Sequence, residues 1–482
     1  MSIPSSFAFS LDRNAATPVF EQICAKIRTR IVAGTLEAGA KLPATRVLAI
    51  DLGVSRSTIV TAYEQLTAEG YIQGLRGSGY AVCQIGSVEM AAPRPQVPTR
   101  PPPKPPQETG QVFRAGQPDM RLFPYRQWAK TIARTCRMAP ESMMTTTGTM
   151  GNYALRTAIA RHVAEWRGIT AQPEQILITA GSGDALEICI RALTKSGDRI
   201  GLEDPGYLPL HNFVTGFGLR PQYLAIGSQG AALPDGDFGD CPRLVVLTPS
   251  HQYPLGGAMG PQRRHEFISW AKDAQSWIIE DDYDSEFRYA GRPIPAMASM
   301  DQLHRTIYVG SFSKIFSNSL RLGYIVLPDL LVSRFETIIG ATGSKASFMP
   351  QQPLADFINT GEFYRHLRRM RRIYGERRRF LVTELGTRLG EFGSFQDHQA
   401  GMQIAFHLRR DLNDVDIAQT AKMAGIITAP LSRYGQERSG QRNGLLLGFC
   451  GFDLDELETG LSILANILTE MHNNAEKSGP HP

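Results

Sequence analysis

Cysteine is sparse in this chain of 482 residues, and the six present stand apart as Cys24, Cys83, Cys136, Cys189, Cys241 and Cys450. No two have redox or metal-ligand spacing, which argues against a disulfide framework and a structural metal and predicts reduced thiols in a cytoplasmic protein. Continuous apolar runs of about 18 residues are missing, so no membrane span is expected. The opening stretch "MSIPSSFAFSLDRNAA" lacks a basic start and an apolar core, and predicts no signal peptide. An excess of one charge is lacking too: 51 Lys and Arg against 46 Asp and Glu leave a net +5. That balance allows nucleic-acid binding without demanding it, because the position of the charge decides. Internal repeats are absent.

At 42% hydrophobic and 20% charged the composition is that of a globular protein, and the length implies two or three domains. One break in composition is plain. Residues 84–110, "QIGSVEMAAPRPQVPTRPPPKPPQETG", carry eight prolines and almost no large apolar side chains. They read as a semi-rigid linker that reaches up to roughly 80 Å in polyproline II geometry. The expected division is 1–83, a linker over 84–110, and 111–482.

In the first part, "PVFEQICAKIRTRIVA" (18–33) sets Phe20, Ile23, Ile27 and Ile31 at helical spacing. A second helix is expected over Ala44–Asp51, a turn at Gly53, and a third helix capped by Ser55 with Ile59, Ala62, Tyr63 and Leu66 on one face. After Gly70, "YIQGLRGSGYAV" alternates as a hairpin with Arg76, Gly77, Ser78 and Gly79 at its tip. Helix–turn–helix followed by a Gly-rich hairpin is a winged DNA-binding layout. The third helix opens with "SRST", so Ser55, Arg56, Ser57 and Thr58 can meet bases and phosphates. Arg46 sits where it would reach phosphate, and Arg76 and Gly77 would approach the backbone or minor groove. A small helical protein-interaction domain is the competing interpretation. Residues 18–82 closely resemble the GntR-type winged helix.

From residue 111 helical patterns alternate with short apolar runs: "QILITA", "DRIGLE", "RLVVLTP", "SWIIEDD", "RTIYVGS" and "RLGYIVL". The alternation predicts an α/β fold with a mainly parallel sheet, in which ligands gather at the carboxyl ends of strands. The unusual polar residues fall there, in "AGSGD", "EDPGY", "SHQYPLGG", "EDDYDSEF" and "SFSK". Pyridoxal 5'-phosphate (PLP) accounts for all of them, since it needs an amine, an acid opposite its pyridine nitrogen and donors for its phosphate. Lys314 would supply the amine and Asp281 the acid. Ser182 and Gly183, opening a helix, would meet the phosphate together with Ser311, Ser313 and Arg321. Tyr207 would stack on the ring, and Tyr283 would bond its phenolate oxygen. Taken singly these features are weak, because a lone lysine in a polar loop is ordinarily solvated. Their order and their common place at strand ends give them force.

Residues 111–470 are similar to fold-type I aminotransferases, and the whole chain resembles the MocR/GabR subfamily of GntR regulators, in which a winged helix is linked to such a domain. "EDPGY", "TPSHQYPLG", "IEDDYDSEFRYAGRPIPA", "VGSFSK", "LRLGY" and "HLRRMRRIY" carry the likeness. The resemblance implies an internal aldimine on Lys314, a phosphate contact from Arg321 and a domain-swapped homodimer. Departures accompany it. Tyr253 stands where the enzymes usually have asparagine, leaving His251 or Gln252 to hold the cofactor's hydroxyl. Thr146 stands in place of a tyrosine donated between subunits. The last strand, "GLLLGF", lacks the arginine that grips a substrate carboxylate, for which Arg433 or Arg442 could serve. The basic helix "RHLRRMRRIYGERRRF" (365–380) would assist DNA contact or flank a dimer as a solvated face.

The expected function is a PLP-dependent transcriptional regulator that binds promoter DNA and senses PLP, or an amino compound joined to it as an external aldimine, with little or no turnover. The alternative is an active aminotransferase with an accessory DNA-binding domain.

Overall fold

The computed structural model describes residues 9–13, 15, 17–75, 79–84, 112–145, 148–236, 241–291, 294–437 and 442–478. The chain divides into two compact units, one ending at Pro106 and the other beginning at Gln107. The linker expected over 84–110 lies outside the described residues apart from Gln84, and so does Thr146.

The first unit holds three helices and a hairpin. Helix α1 (Val19–Val32) buries Ile23, Cys24, Ile27 and Ile31, while Phe20 is half-buried at its edge. Helix α2 (Thr45–Asp51) starts one residue later than expected, because Ala44 is extended, with ψ 142°, and acts as its cap. Gly53 takes the turn at φ +64°, a conformation that suits glycine. Helix α3 (Arg56–Ala68) is capped by Ser55, whose hydroxyl accepts from the Thr58 amide at 3.1 Å. Its Ile59, Ala62, Tyr63 and Leu66 are fully buried against α1 and α2. Strands β1 (Ile72–Leu75) and β2 (Gly79–Val82) pair antiparallel from Ile72 opposite Val82 to Leu75 opposite Gly79. The hairpin tip, Arg76, Gly77 and Ser78, lies outside the described residues.

The second unit is an α/β body with two sheets. Its strands are β3 (Ile176–Thr179), β4 (Arg199–Asp204), β5 (Arg220–Gly227), β6 (Gly230–Ala231), β7 (Leu244–Leu247), β8 (Trp277–Asp282), β9 (Thr306–Ser311) and β10 (Gly323–Val326). They lie in the order β3-β10-β9-β8-β7-β4-β5-β6. The pairs β9-β8, β8-β7, β7-β4 and β4-β5 are parallel, whereas β10 runs antiparallel to both neighbours. Every residue of β3, β7, β8, β9 and β10 is buried, as strands covered on both faces require. Side-chain alternation splits these strands between two cores: Ile178, Tyr308 and Tyr324 enter one, while Leu177, Ile307 and Ile325 enter the other. Strands β5 and β6 have no counterpart among the apolar runs of the sequence. They form the sheet's edge, where "RPQYLAIG" buries Leu224 alone and carries no core signature.

A second, antiparallel sheet follows, made of β11 (Gly393–Phe395), β12 (Gln403–Leu408), β13 (Ala429–Pro430) and β14 (Gly444–Gly448) in the order β11-β12-β14-β13. Long helices at Glu362–Arg388 and Leu454–Ser478 flank it. Among the described residues no helix is long and apolar enough to cross a membrane.

Candidate functional site

The parallel strands β4, β7, β8 and β9 end at one edge of the large sheet. The antiparallel β10 begins at that same edge, which brings Arg321 beside the residues that follow β3, β8 and β9. These segments surround a cavity of ≈ 330 Å³. Lys314, three residues past β9, reaches into it and donates to the carbonyl oxygen of Gly116 at 2.8 Å. Gly116 has φ +65°, and a Cβ there would stand 2.8 Å from the lysine nitrogen, so only glycine lets the backbone come this close. Burial lowers the Lys314 pKa, against the pull of Asp284 and Asp281. The amine is thereby brought closer to its neutral, nucleophilic form.

Strand β8 carries three consecutive acids, and alternation assigns them to opposite faces. Glu280 and Asp282 turn together toward Arg167, with 2.8 Å between Asp282 and the guanidinium and 3.8 Å from Glu280. Tyr308 donates to Asp282 at 2.6 Å, and the Ala298 amide donates to Glu280 at 2.9 Å. Asp281 turns to the cavity. Its Oδ1 is buried and has no hydrogen-bond partner among the described residues. Burial, reinforced by Asp282, Glu203 and Asp284, pushes its carboxyl up to about 7.

Directly after β3, Gly181 at φ +95° caps the helix Ser182–Leu193. Ala180, Ser182 and Gly183 therefore present helix N-terminal backbone to the cavity, beside Ser311, Ser313 and Arg321. The Ser313 amide donates to the Ser311 hydroxyl at 3.2 Å. Arg321 holds a left-handed φ of +46°, a strained conformation for a residue other than glycine. Tyr207 and Tyr283 line the opposite wall with Tyr253, whose ring packs edge-on to each at 5.9 and 5.7 Å.

His251 is absent from the described lining. It sits behind Tyr283, with Nδ1 3.0 Å from that hydroxyl and 3.1 Å from the Asp284 carboxylate. Gln252 also turns away and donates to the Pro205 and Tyr253 carbonyls at 2.9 and 2.7 Å. Neither Arg433 nor Arg442 lines the Lys314 cavity. Arg433 is exposed, and Arg442 donates to the Ile226 carbonyl at 3.2 Å beside a different cavity of ≈ 400 Å³. Residues that sequence reasoning missed also line the Lys314 cavity: Gly116, Thr248, Asp284, Asn318, and Gln403, whose buried side-chain nitrogen has no partner among the described residues. No spacing in the sequence links Gly116 and Gln403 to Lys314. Asp284 alone was discoverable, as the next acid in "EDDYDSEF".

This constellation fits PLP. An amine, an acid lacking a donor, and a helix N-terminus beside a cation meet in one cavity, and a protonated pyridine nitrogen is the donor that Asp281 lacks.

In the first unit, Arg46, Ser55, Arg56 and Ser57 are exposed and Thr58 half-buried at the start of α2 and α3. Among the described residues Arg56 makes one side-chain contact, at 3.4 Å to Thr45 Oγ1. The Ser55 hydroxyl is engaged by Ser57 and Thr58 at 2.7 Å each.

Residues 20–82 match the family of bacterial regulatory proteins, gntR family, and residues 112–438 match aminotransferase class I and II. The chain is 36% identical, over 98% of its length and 97% of the relative's, to the probable rhizopine catabolism regulatory protein MocR of Rhizobium meliloti. It is 30% identical, over 95% of its length and 98% of the relative's, to the HTH-type pyridoxine biosynthesis transcriptional regulator PdxR of Corynebacterium glutamicum. Among solved structures, a kynurenine aminotransferase of Pyrococcus horikoshii superposes with TM-score 0.69 at 22% identity, covering 76% of this chain and 92% of the other. At that identity the likeness concerns the fold.

The class is thus a GntR-type DNA-binding domain joined to an aminotransferase-like domain whose cofactor is PLP. The chain belongs to the MocR/GabR subfamily of GntR-type transcriptional regulators. It is a regulator that binds promoter DNA, with its aminotransferase-like domain given to a small-molecule effector.

Proposed function

We propose that this regulator senses PLP, alone or together with an amino compound, and couples its occupancy to operator affinity. The observation that carries the reading is the buried, partnerless Asp281 Oδ1 sharing one cavity with the Lys314 amine. Lys314 attaches the cofactor, which when bound supplies an electron sink. Asp281 holds a proton on the ring nitrogen. Tyr283, fixed by His251, donates to the ring oxygen, and Tyr207 covers the ring face. Ser182, Gly183, Ser311, Ser313 and Arg321 hold the phosphate. Among the described lining residues the cations are Lys314 and Arg321. Both are then taken, and no further cation remains there for a substrate carboxylate, which favours sensing over turnover.

The reading divides the chain into a DNA-binding part over 1–83, a linker over 84–110 and an effector part over 111–482. Arg46, Ser55, Arg56, Ser57, Thr58, Arg76 and Gly77 meet DNA. The protein acts as a domain-swapped homodimer in the bacterial cytoplasm, on the nucleoid when DNA-bound.

The test is a PLP titration, followed by the absorbance of the lysine-linked cofactor, with and without operator DNA. Coupling of about 1–3 kcal/mol is the usual allosteric size, and reciprocity requires operator affinity to change by the same factor. Equal PLP affinities in the two titrations would overturn the sensing role.

A further inference from the structure

We infer that a cleft on the long helix Glu362–Arg388 is a second anion site, built for a compact polyphosphate and separate from the cofactor cavity. The cleft has a volume of ≈ 390 Å³ and is walled by Arg371, Arg372, Arg378 and Arg379 of the helix and by Arg288 and Tyr289 opposite. At 100° per residue the four helical arginines fall within an arc of about 120°, so they share one face. Gly375 lies in the middle of that arc, and a Cβ there would stand 3.2 Å from the Tyr289 ring. The guanidinium groups therefore flank a floor of bare backbone and one aromatic ring.

The charge in the cleft is largely uncompensated. Arg378, buried and stacked 5.7 Å from the Tyr289 ring, pairs with Asp397. Among the described residues no carboxylate pairs with Arg288, Arg371, Arg372 or Arg379. Arg371 instead donates to the Arg288 carbonyl at 2.6 Å, and the buried Arg288 Nε has no hydrogen-bond partner among the described residues. Four like charges around one concavity repel each other, and a buried guanidinium N–H left unmade is costly. A ligand bearing three or four negative charges in little volume relieves both. Guanidinium forks match phosphate oxygens two at a time, and a cleft of this size takes a small ligand rather than a surface contact.

The far wall is already in place. The Tyr289 amide donates to the Gln399 carbonyl at 2.9 Å, and its hydroxyl donates to the Gly401 carbonyl at 2.9 Å. The site thus needs little ordering when the anion arrives.

The experiment is calorimetric titration of sodium tripolyphosphate into the full chain loaded with PLP, at constant ionic strength. PLP keeps the phosphate donors near Arg321 filled. One saturable site per chain is expected, and the double variant Arg372→Glu, Arg379→Glu should weaken it at least tenfold. Both side chains are exposed and glutamate is a good helix former, so the fold should tolerate the change, and an unaltered PLP absorbance checks that it has. Addition of an unrelated DNA duplex separates the two sources of phosphate. Failure to displace the tripolyphosphate assigns the site to a free polyphosphate. Displacement, with binding of the duplex itself weakened in the double variant, would assign the cleft to the nucleic-acid backbone and overturn the polyphosphate reading. Absence of saturable binding, or equal affinity in parent and variant, would overturn the inference.

Discussion

The Tyr283 hydroxyl and His251 share one nitrogen with a third partner: Nδ1 of His251 is 3.0 Å from the tyrosine oxygen and 3.1 Å from each oxygen of Asp284. A carboxylate only accepts, so the hydrogen on Nδ1 belongs to the imidazole and points to Asp284. The tyrosine oxygen is then a second acceptor of that N–H, and its own hydrogen is left free to be donated into the cavity. Burial raises the Tyr283 phenol well above its usual value, with Asp284 adding to the effect, and this keeps the donor protonated. Asp284, His251 and Tyr283 thus act in series. His251→Phe and Tyr283→Phe should each weaken PLP binding by about 1 kcal/mol, roughly fivefold. The double variant should lose little more than the worse single one, because both act through the Tyr283 hydroxyl. PLP titration of the three variants checks this, and strictly additive losses would refute the series.

Asp281 sets a pH dependence on the cofactor-free protein. Its carboxyl is pushed from 3.8 to about 7, chiefly by burial. The native state therefore holds a proton that the unfolded chain releases between about pH 4 and pH 7. Stability is full below pH 4, falls through that window and levels off above it, a loss of up to about 4 kcal/mol from this group. Glu203, likewise raised to about 7 by burial, adds a second contribution of the same sign. Asp281→Asn should raise the melting temperature of the cofactor-free protein at pH 8 and reduce, but not abolish, its slope against pH. The same variant should bind PLP far more weakly. An unchanged slope would show that Asp281 is not the group responsible.

Much of this site was legible in the sequence because strand ends and glycine-rich turns mark themselves locally. "WIIEDD" reads as a buried strand ending in acids, and alternation decides which acid faces the cavity once the strand is known. The Ser55 cap and the apolar face of α3 were equally plain. What stayed hidden is contributed from afar. Gly116 lies 198 residues before Lys314 and Gln403 about ninety after it, and no local pattern distinguishes them. Strand β5 escaped notice because an edge strand carries polar residues on both faces. The placement of Arg442 beside another cavity depends on how the 431–437 segment is tied down, with the Gln436 and Glu437 amides donating to the buried Asp204 at 2.8 and 3.0 Å. That tie joins residues more than two hundred apart.

Lys314 gives a chemical test. With its pKa lowered by burial, it should form a covalent link to PLP that borohydride makes permanent. Peptide mapping should find the label on the segment containing Lys314. Lys314→Ala should lose the label and the yellow colour yet remain folded, since its main-chain neighbours Phe312, Ile315 and Phe316 supply the packing there. Label appearing on another lysine in the parent protein would remove Lys314 from its role.

The start of α3 allows structure and recognition to be separated at adjacent residues. The Ser55 hydroxyl accepts from the Thr58 amide and is also engaged by two neighbouring hydroxyls, so its first task is to cap the helix. Ser55→Ala should cost roughly 1 kcal/mol of stability in the DNA-binding unit, seen in thermal unfolding. Arg56 is exposed and, among the described residues, makes one long contact, to Thr45. Arg56→Ala should therefore leave unfolding unchanged. If its guanidinium meets a phosphate, the variant should weaken operator binding across sequences and reduce the slope of log affinity against log salt by about one unit. If it meets a base edge instead, the slope should hold while discrimination at one operator position falls by about 1–3 kcal/mol. Fluorescence anisotropy over a range of salt concentrations, repeated with single-base operator variants, distinguishes the two. An Arg56→Ala protein that matches the parent in slope, affinity and discrimination would mean that the amino end of α3 does not face DNA.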